Sequence, residues 1–153
     1  MTRIDPAIRA VEPADLSELV PLMEAYCGFY DTAPGAPALT VLAEALLAAP
    51  DCEGMQLLAR DQHDRAVGFA TMYWSWDTTE AVRTAIMHDL YVDPAVRGTG
   101  VGRALIEACG VEAARRGKGR LDWQTAPGNA RAQRLYDAMS SDRSTWVCYG
   151  LAL

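Results

Sequence analysis

Apolar and polar positions follow two rhythms along this chain, and the switches between them mark out ten elements. A short β-compatible run over residues 8–11 gives way to Glu12-Pro13-Ala14-Asp15, which carries turn and helix-start signals. Leu16, Leu19, Val20, Met23, Cys27 and Tyr30 then recur at helical spacing, which predicts an amphipathic helix over residues 14–30 with Pro21 as a place to bend. After a Pro- and Gly-rich loop, Leu39, Leu42 and Leu46 define a second helix over residues 39–49, ended by Pro50. Residues 55–60 and 66–76 are β-rich and joined by a polar connection of hairpin length, and residues 84–92 form a third strand whose alternation His88-Asp89 interrupts. A helix over 100–116 is closed by Gly117, and a strand over 121–125, a helix over 129–139 and a strand over 145–153 complete the chain. No repeat or linker breaks the order β-α-α-β-β-β-α-β-α-β, so residues 1–153 read as one mixed α/β domain.

Composition narrows the partners. A chain of 153 residues, half apolar and 22% charged, is long enough for one core. Fourteen Lys and Arg against twenty Asp and Glu leave a net charge of -6, which repels a phosphate backbone, so no nucleic-acid partner is expected. Lys118 is the single lysine, which excludes Schiff-base chemistry elsewhere. Cys27, Cys52, Cys109 and Cys148 lie tens of residues apart without a C-x-x-C pair, and only His63 and His88 accompany them, so no metal site is expected and each reads as a small buried hydrophobe. The first residues lack the apolar run of a signal peptide, and no stretch approaches the ~20 apolar residues that span a bilayer. The expectation is a cytoplasmic protein without a membrane partner, its thiols reduced.

The segment from Leu90 to Leu105 is the most informative: an apolar strand, a turn, three glycines at alternate positions (Gly98, Gly100, Gly102) and a helix. A strand entering a helix through glycines is suited to hold an anion. First-turn amides point outward unpaired, the helix dipole favours negative charge, and missing side chains let phosphate oxygens reach the backbone. Arg97 and Arg103 add charge. A P-loop is excluded because Gly102 is followed by Arg103-Ala104 rather than Lys and Ser or Thr, and a dinucleotide fingerprint fails on glycine spacing.

What remains is Arg97-x-x-Gly100-x-Gly102 between an apolar strand and an Ala-rich helix, which resembles the acetyl-CoA signature of the GCN5-related N-acetyltransferases. The resemblance spans nearly the whole chain. It includes the element order, the entry Val92-Asp93-Pro94, and the run Asn129-Ala130-Arg131-Ala132-Gln133-Arg134-Leu135-Tyr136, similar to the family's Asn-to-Tyr helix. Ile8-Arg9, the run from Gly68 to Trp74 and the strand from His88 to Val92 are similar to the diamine and thialysine branch. Two departures stand out: Asp137-Ala138-Met139-Ser140-Ser141 lacks the Gly-Phe or Gly-Ala that commonly ends the helix, and His88 occupies an acidic position of the polyamine enzymes.

The family likeness implies a central, mostly antiparallel twisted sheet flanked by helices, and direct acetyl transfer to a primary amine in a ternary complex. The diphosphate of acetyl-CoA would lie on the amides around Arg97, Gly98, Thr99, Gly100, Val101, Gly102 and Arg103, with its pantetheine arm along Leu90, Tyr91 and Val92, and Asn129 and Tyr136 beside it. A bulge in the strand would splay it from its neighbour and free a backbone amide, that of Leu90, to receive the thioester oxygen. Tyr136 is the candidate acid toward the departing sulfur. Asp89 is the candidate for amine binding or proton removal and His88 the second choice; as strand neighbours they are expected to point to opposite faces. Tyr26, Phe29, Tyr30 and Trp74 are expected around the acceptor, with Glu24, Asp31, Asp77 or Glu80 attracting a small cationic amine. Alternatives are an aminoglycoside, an amino acid or a peptide N-terminus as acceptor, and a catalytically silent CoA-binding module; cysteine-based transfer through Cys109 lacks a His partner. The last strand resembles one that relatives use for dimer contacts, which makes a homodimer the expected assembly.

Overall fold

A computed structural model describes residues 4–139 and 141–152. Nine main elements follow the expected order: β1 (Ala7–Ala10), α1 (Leu16–Phe29), α2 (Ala36–Ala48), β2 (Gly54–Arg60), β3 (Ala66–Asp77), β4 (Val82–Val92), α3 (Val101–Arg115), β5 (Arg120–Trp123) and α4 (Ala130–Asp137). The strands form one sheet in the order β1-β2-β3-β4-β5. The first four pair antiparallel, β1 with β2 across the α1–α2 excursion and β2, β3 and β4 through short connections, whereas β5 lies parallel to β4 because α3 carries the chain back across the sheet.

Side-chain alternation divides the sheet into two apolar faces. Leu57, Ala70, Met72, Ala85 and Met87 pack with Leu105, Ile106 and Cys109 of α3; Leu58, Phe69 and Tyr91 pack on the other face with Leu19, Val20 and Met23 of α1 and Leu39 and Ala43 of α2. The sheet is therefore sandwiched, and β2, between β1 and β3, is buried along nearly its whole length. Asp15, just ahead of α1, is buried and receives Arg9 at 2.6 and 2.7 Å, Arg60 at 2.8 Å and the Glu12 amide at 2.8 Å. These partners join β1, the turn and β2, and hold the Asp15 carboxyl well below the ordinary carboxylate range, the Arg9 hydrogen bond being the largest cause. At the other end of α3, Gly117 adopts φ +68°, and the Lys118 amide reaches back to the Ala113 carbonyl, closing the helix as the sequence predicts.

One expected element does not form. Residues 145–152 carry no strand pairing, and their large apolar side chains stand in solvent. A strand exists only through hydrogen bonds to a neighbour, and this segment stands off from β5, the one strand with an unpaired edge beside it. Leu153, the last residue of the expected strand, lies outside the described residues.

Candidate active site

The alternation of β4 changes phase at His88. Ala85 and Met87 face the α3 layer, then Leu90 and Val92 do so, so the face parity reverses between 87 and 90. The ladder with β3 shows the cause: Thr71 pairs with Asp89 and Met72 with Met87, leaving His88 as an extra residue in a β-bulge. The expectation that His88 and Asp89 point apart is therefore corrected. Both turn toward α1, and His88 Nδ1 lies 3.1 Å from Asp89 Oδ1. The imidazole is exposed and meets the Tyr73 ring edge-on at 5.5 Å, whereas the Asp89 carboxylate is largely covered. Tyr26, reaching over from α1, donates its hydroxyl to the His88 carbonyl at 3.5 Å; burial chiefly, then the Asp89 charge, raises its phenol above the ordinary value.

Past the bulge β4 runs without β5, whose pairing covers only Thr84 to Met87 of the longer strand. The two strands thus diverge, and the opening between them leads into a cavity of about 620 Å³, a volume typical of small-ligand sites. Leu90, Tyr91 and Val92 form its floor along β4, and Gly98, Gly100 and Gly102 one end. Asn129 and Tyr136 of the α4 region wall it opposite, and Tyr26, Phe29, Tyr30 and His88 surround its other mouth.

The turn before α3 is built to expose its backbone. Asp93 accepts from the Ala95 amide at 2.8 Å and starts a single 3₁₀ turn over Pro94–Val96. Gly98 and Gly100 then take φ of +85° and +106°, conformations that cost an L side chain about 1–2 kcal/mol. Among the described residues, the amides of Gly98 through Arg103 donate to no carbonyl of the chain, and helical bonding begins with Ala104 onto Gly100. Thr99 and Val101 contribute backbone only: the Thr99 hydroxyl bonds the Val96 carbonyl at 2.6 Å, and Val101 packs in the core. Arg97 is partly committed as well, its Nε donating to the Val92 carbonyl at 2.8 Å and its guanidinium lying over the Tyr91 ring. Arg103 donates to the Ala138 carbonyl at 2.8 Å, tying α3 to the end of α4.

Asn129 caps α4 by accepting from the Ala132 amide at 3.1 Å. Seven residues on, Tyr136 meets the Trp123 ring edge-on at 5.6 Å, and its phenol is raised chiefly by burial, so it keeps its proton at neutral pH. Trp123, at the end of β5, is a positioning side chain that sequence reasoning did not single out. Gln124, Thr125, Arg131, Arg134 and Leu135 also line the cavity without having been assigned there. For Arg131 the signal was present, in the spacing of the run from Asn129 to Tyr136.

Several expected residues do not line the cavity, and Asp89 is among them, connected to it only through its hydrogen bond with His88. Trp74 shares a face with Ala70 and Met72, donates its indole N–H to the Pro50 carbonyl at 2.7 Å, and lies under Arg116 and Lys118. Glu24, Asp31, Asp77 and Glu80 do not line it, and its charged lining consists of Arg97, Arg103, Arg131 and Arg134. Cys109 is sealed in the α3 core, where burial pushes its thiol up to about 12, so it offers no thiolate at neutral pH. Among the described residues no group of three or more His, Cys, Asp or Glu is placed to hold a metal, and no helix is long and apolar enough to cross a membrane.

This arrangement agrees with what the chain is similar to. Residues 19–140 match the model of the Acetyltransferase (GNAT) family. An uncharacterized N-acetyltransferase of Bacillus subtilis, YhfO, is 29% identical over 138 residues, covering 90% of this chain and 91% of its own. The D-amino-acid N-acetyltransferase HPA3 of Saccharomyces cerevisiae is 35% identical over 133 residues, covering 84% of this chain and 80% of its own. Among solved structures, the aminoglycoside N-acetyltransferase AAC(6')-Iy in complex with CoA shares the fold with a TM-score of 0.85 at 19% identity, over 97% of this chain and 95% of the other. The chain thus belongs to the GNAT family of acetyltransferases, which use acetyl-CoA as donor.

Proposed function

We propose that this N-acetyltransferase moves the acetyl group of acetyl-CoA directly onto a primary amine of a small acceptor in a ternary complex, working as a cytoplasmic homodimer. One observation carries the reading: a single cavity joins unpaired backbone amides at one end to the bulged His88 at the other, itself hydrogen-bonded to Asp89, with a protonated Tyr136 on its wall.

The residues fit the donor. Six consecutive amides from Gly98 to Arg103 without internal acceptors suit a diphosphate, and the four lining arginines reverse locally the sign of a chain whose net charge is -6. Bound acetyl-CoA supplies an activated thioester. The stretch of β4 from Leu90 to Val92, paired with β3 but open on its β5 side, holds the arm, and the Leu90 amide receives the negative charge that develops on the thioester oxygen, a contribution of about 3 kcal/mol for one such donor. Tyr136 gives its proton to the departing sulfur.

The acceptor arrives as a cation. A primary alkylamine has a pKa near ~10.5, by analogy with lysine, so at pH 7 fewer than about one molecule in a thousand is nucleophilic. The ring faces of Tyr26, Phe29 and Tyr30 receive the ammonium group, and the His88-Asp89 pair, held in one orientation by its mutual hydrogen bond and by Tyr26, removes the proton directly or through a water. A second reading, an amino acid as acceptor, is favoured by Arg131 and Arg134, which would pair with a carboxylate, and by the likeness to the yeast D-amino-acid enzyme.

The test is amine-dependent thiol release from acetyl-CoA across a panel of diamines, lysine analogues, D- and L-amino acids, aminoglycosides and peptide N-termini. Turnover with simple alkyl diamines supports the first reading, and turnover confined to amino acids the second. CoA binding with no turnover on any amine contradicts both and leaves a silent CoA-binding module.

A further inference from the structure

Lys118, the single lysine of the chain, sits in a cluster of cations that acetyl transfer does not use. The turn after α3 pins its backbone from both sides: the Lys118 amide donates to the Ala113 carbonyl at 2.9 Å, and the Gly119 amide to the Arg83 carbonyl of β4 at 2.9 Å. The side chain is partly buried and lies against the Trp74 ring, with Nζ 5.0 Å from its centroid. Arg116 stands 5.7 Å from the same centroid, so two cations share one ring. Asp51, the carboxylate nearest this cluster, is hydrogen-bonded to Arg116 Nη1, and Arg116 Nε stays buried without an acceptor among the described residues. Among those residues no carboxylate comes within ion-pair distance of the Lys118 ammonium.

An ammonium group held near two guanidinium groups and short of a counter-charge favours its neutral form, and a neutral amine is a nucleophile. Burial, then the charges of Arg83 and Arg116, lower the Lys118 ammonium below the ordinary lysine value, against a smaller opposing pull from Asp51. We propose that Lys118 is a modification site, acetylated at Nζ by acetyl-CoA from solution without help from the active site. Nζ attacks the thioester carbon, the C–N bond forms as the C–S bond breaks, and the proton given up by the amine leaves on the CoA thiol. The chain's own active site does not supply the acetyl group. Lys118 does not line the cavity, and its neighbour Arg83 stands seven strand residues, about 20 Å, from Leu90. The product is a neutral amide, which takes one positive charge from the cluster and leaves Arg116 with Asp51.

The measurement is the rate of Lys118 acetylation in the full chain with millimolar acetyl-CoA between about pH 7 and 10, located by fragment mass spectrometry after hydroxylamine has cleared acetyl groups from thiols. A peptide of residues 115–121 with a blocked amino terminus, treated alone, is the reference, since it keeps the sequence neighbours and lacks the cluster. Lys118 of the folded chain is expected to react at least about threefold faster than the peptide near pH 7.5, with its rate levelling off at lower pH. Arg83→Gln, which leaves the backbone carbonyl in place for Gly119, is expected to move both measures toward the peptide, and Asp51→Asn, which removes the opposing charge, to move them the other way. The rate per molecule is expected to be independent of protein concentration. A chain that reacts no faster than the peptide, or two variants that both react as the parent does, overturns the proposal. So does a rate per molecule that climbs with protein concentration, which would make Lys118 a substrate of a second copy's active site. None of these outcomes depends on which amine the active site accepts.

Discussion

At the scale of single residues, the site depends on where protons sit. Tyr136 is raised above the ordinary phenol value chiefly by burial, so it is a proton donor throughout the neutral range. Tyr136→Phe removes that proton and little volume, and is expected to lower kcat by about 100-fold, the lower end for general acid catalysis, with little change in the Kd for acetyl-CoA. An unchanged kcat removes Tyr136 from the mechanism. On the acceptor side, Asp89→Asn and His88→Ala are expected to lower kcat/KM and alter its pH profile; if both leave magnitude and profile intact, neither is the base. The residue types were legible because a tyrosine seven positions after a helix-capping asparagine, and a polar pair within an apolar strand, are visible in the chain. Their geometry was not. Whether adjacent strand residues point apart depends on an unbroken ladder, and the bulge at His88 exists only against the register of β3. Trp74 shows the converse: its parity with Ala70 and Met72 already placed it on the α3 face, but its neighbourhood of aromatics drew it toward the site.

At the scale of elements, two junctions are decisive. The first is Asp15, whose ion pairs hold the start of α1 against β1 and β2. Its pKa is lower folded than unfolded, so its contribution is fully present above the ordinary carboxylate pKa and is lost as pH falls through the lower, folded value. Asp15→Asn is expected to cost about 3 kcal/mol at neutral pH, since it leaves Arg60 and Arg9 short of a buried partner. That difference is expected to hold down to about pH 4 and shrink below it, as urea titrations at several pH values would show; a gap independent of pH contradicts the assignment. The second junction is the turn into α3. Gly100→Ala forces a side chain into φ +106°, and is expected to cost about 1–2 kcal/mol of stability and to weaken CoA binding, measured by calorimetry. Helices and central strands were readable because their apolar rhythm is met by burial within the chain. The strand expected over 145–153 was read from the same rhythm, but the described part, 145–152, is unpaired here, since a strand also needs an edge and propensity does not say whose.

At the scale of the whole molecule, an acidic chain presents a cavity whose charged lining is arginine. Such local reversal steers a polyanionic donor to one face, and the association rate for CoA is expected to fall as salt rises; insensitivity to ionic strength contradicts a charge-guided site. Total charge was legible from composition, but its distribution was not, because Arg131 and Arg134 share a cavity with Arg97 and Arg103 only after the start of α3 meets the end of α4. The same contact gathers the two ends of the site into one cavity, as the proposed direct transfer requires. The most direct measurement is therefore the initial-rate pattern with acetyl-CoA and an accepted amine varied together. Intersecting double-reciprocal lines are predicted, since both substrates must be present before the acetyl group moves. Parallel lines, the mark of an acetylated protein released between two half-reactions, would contradict the account.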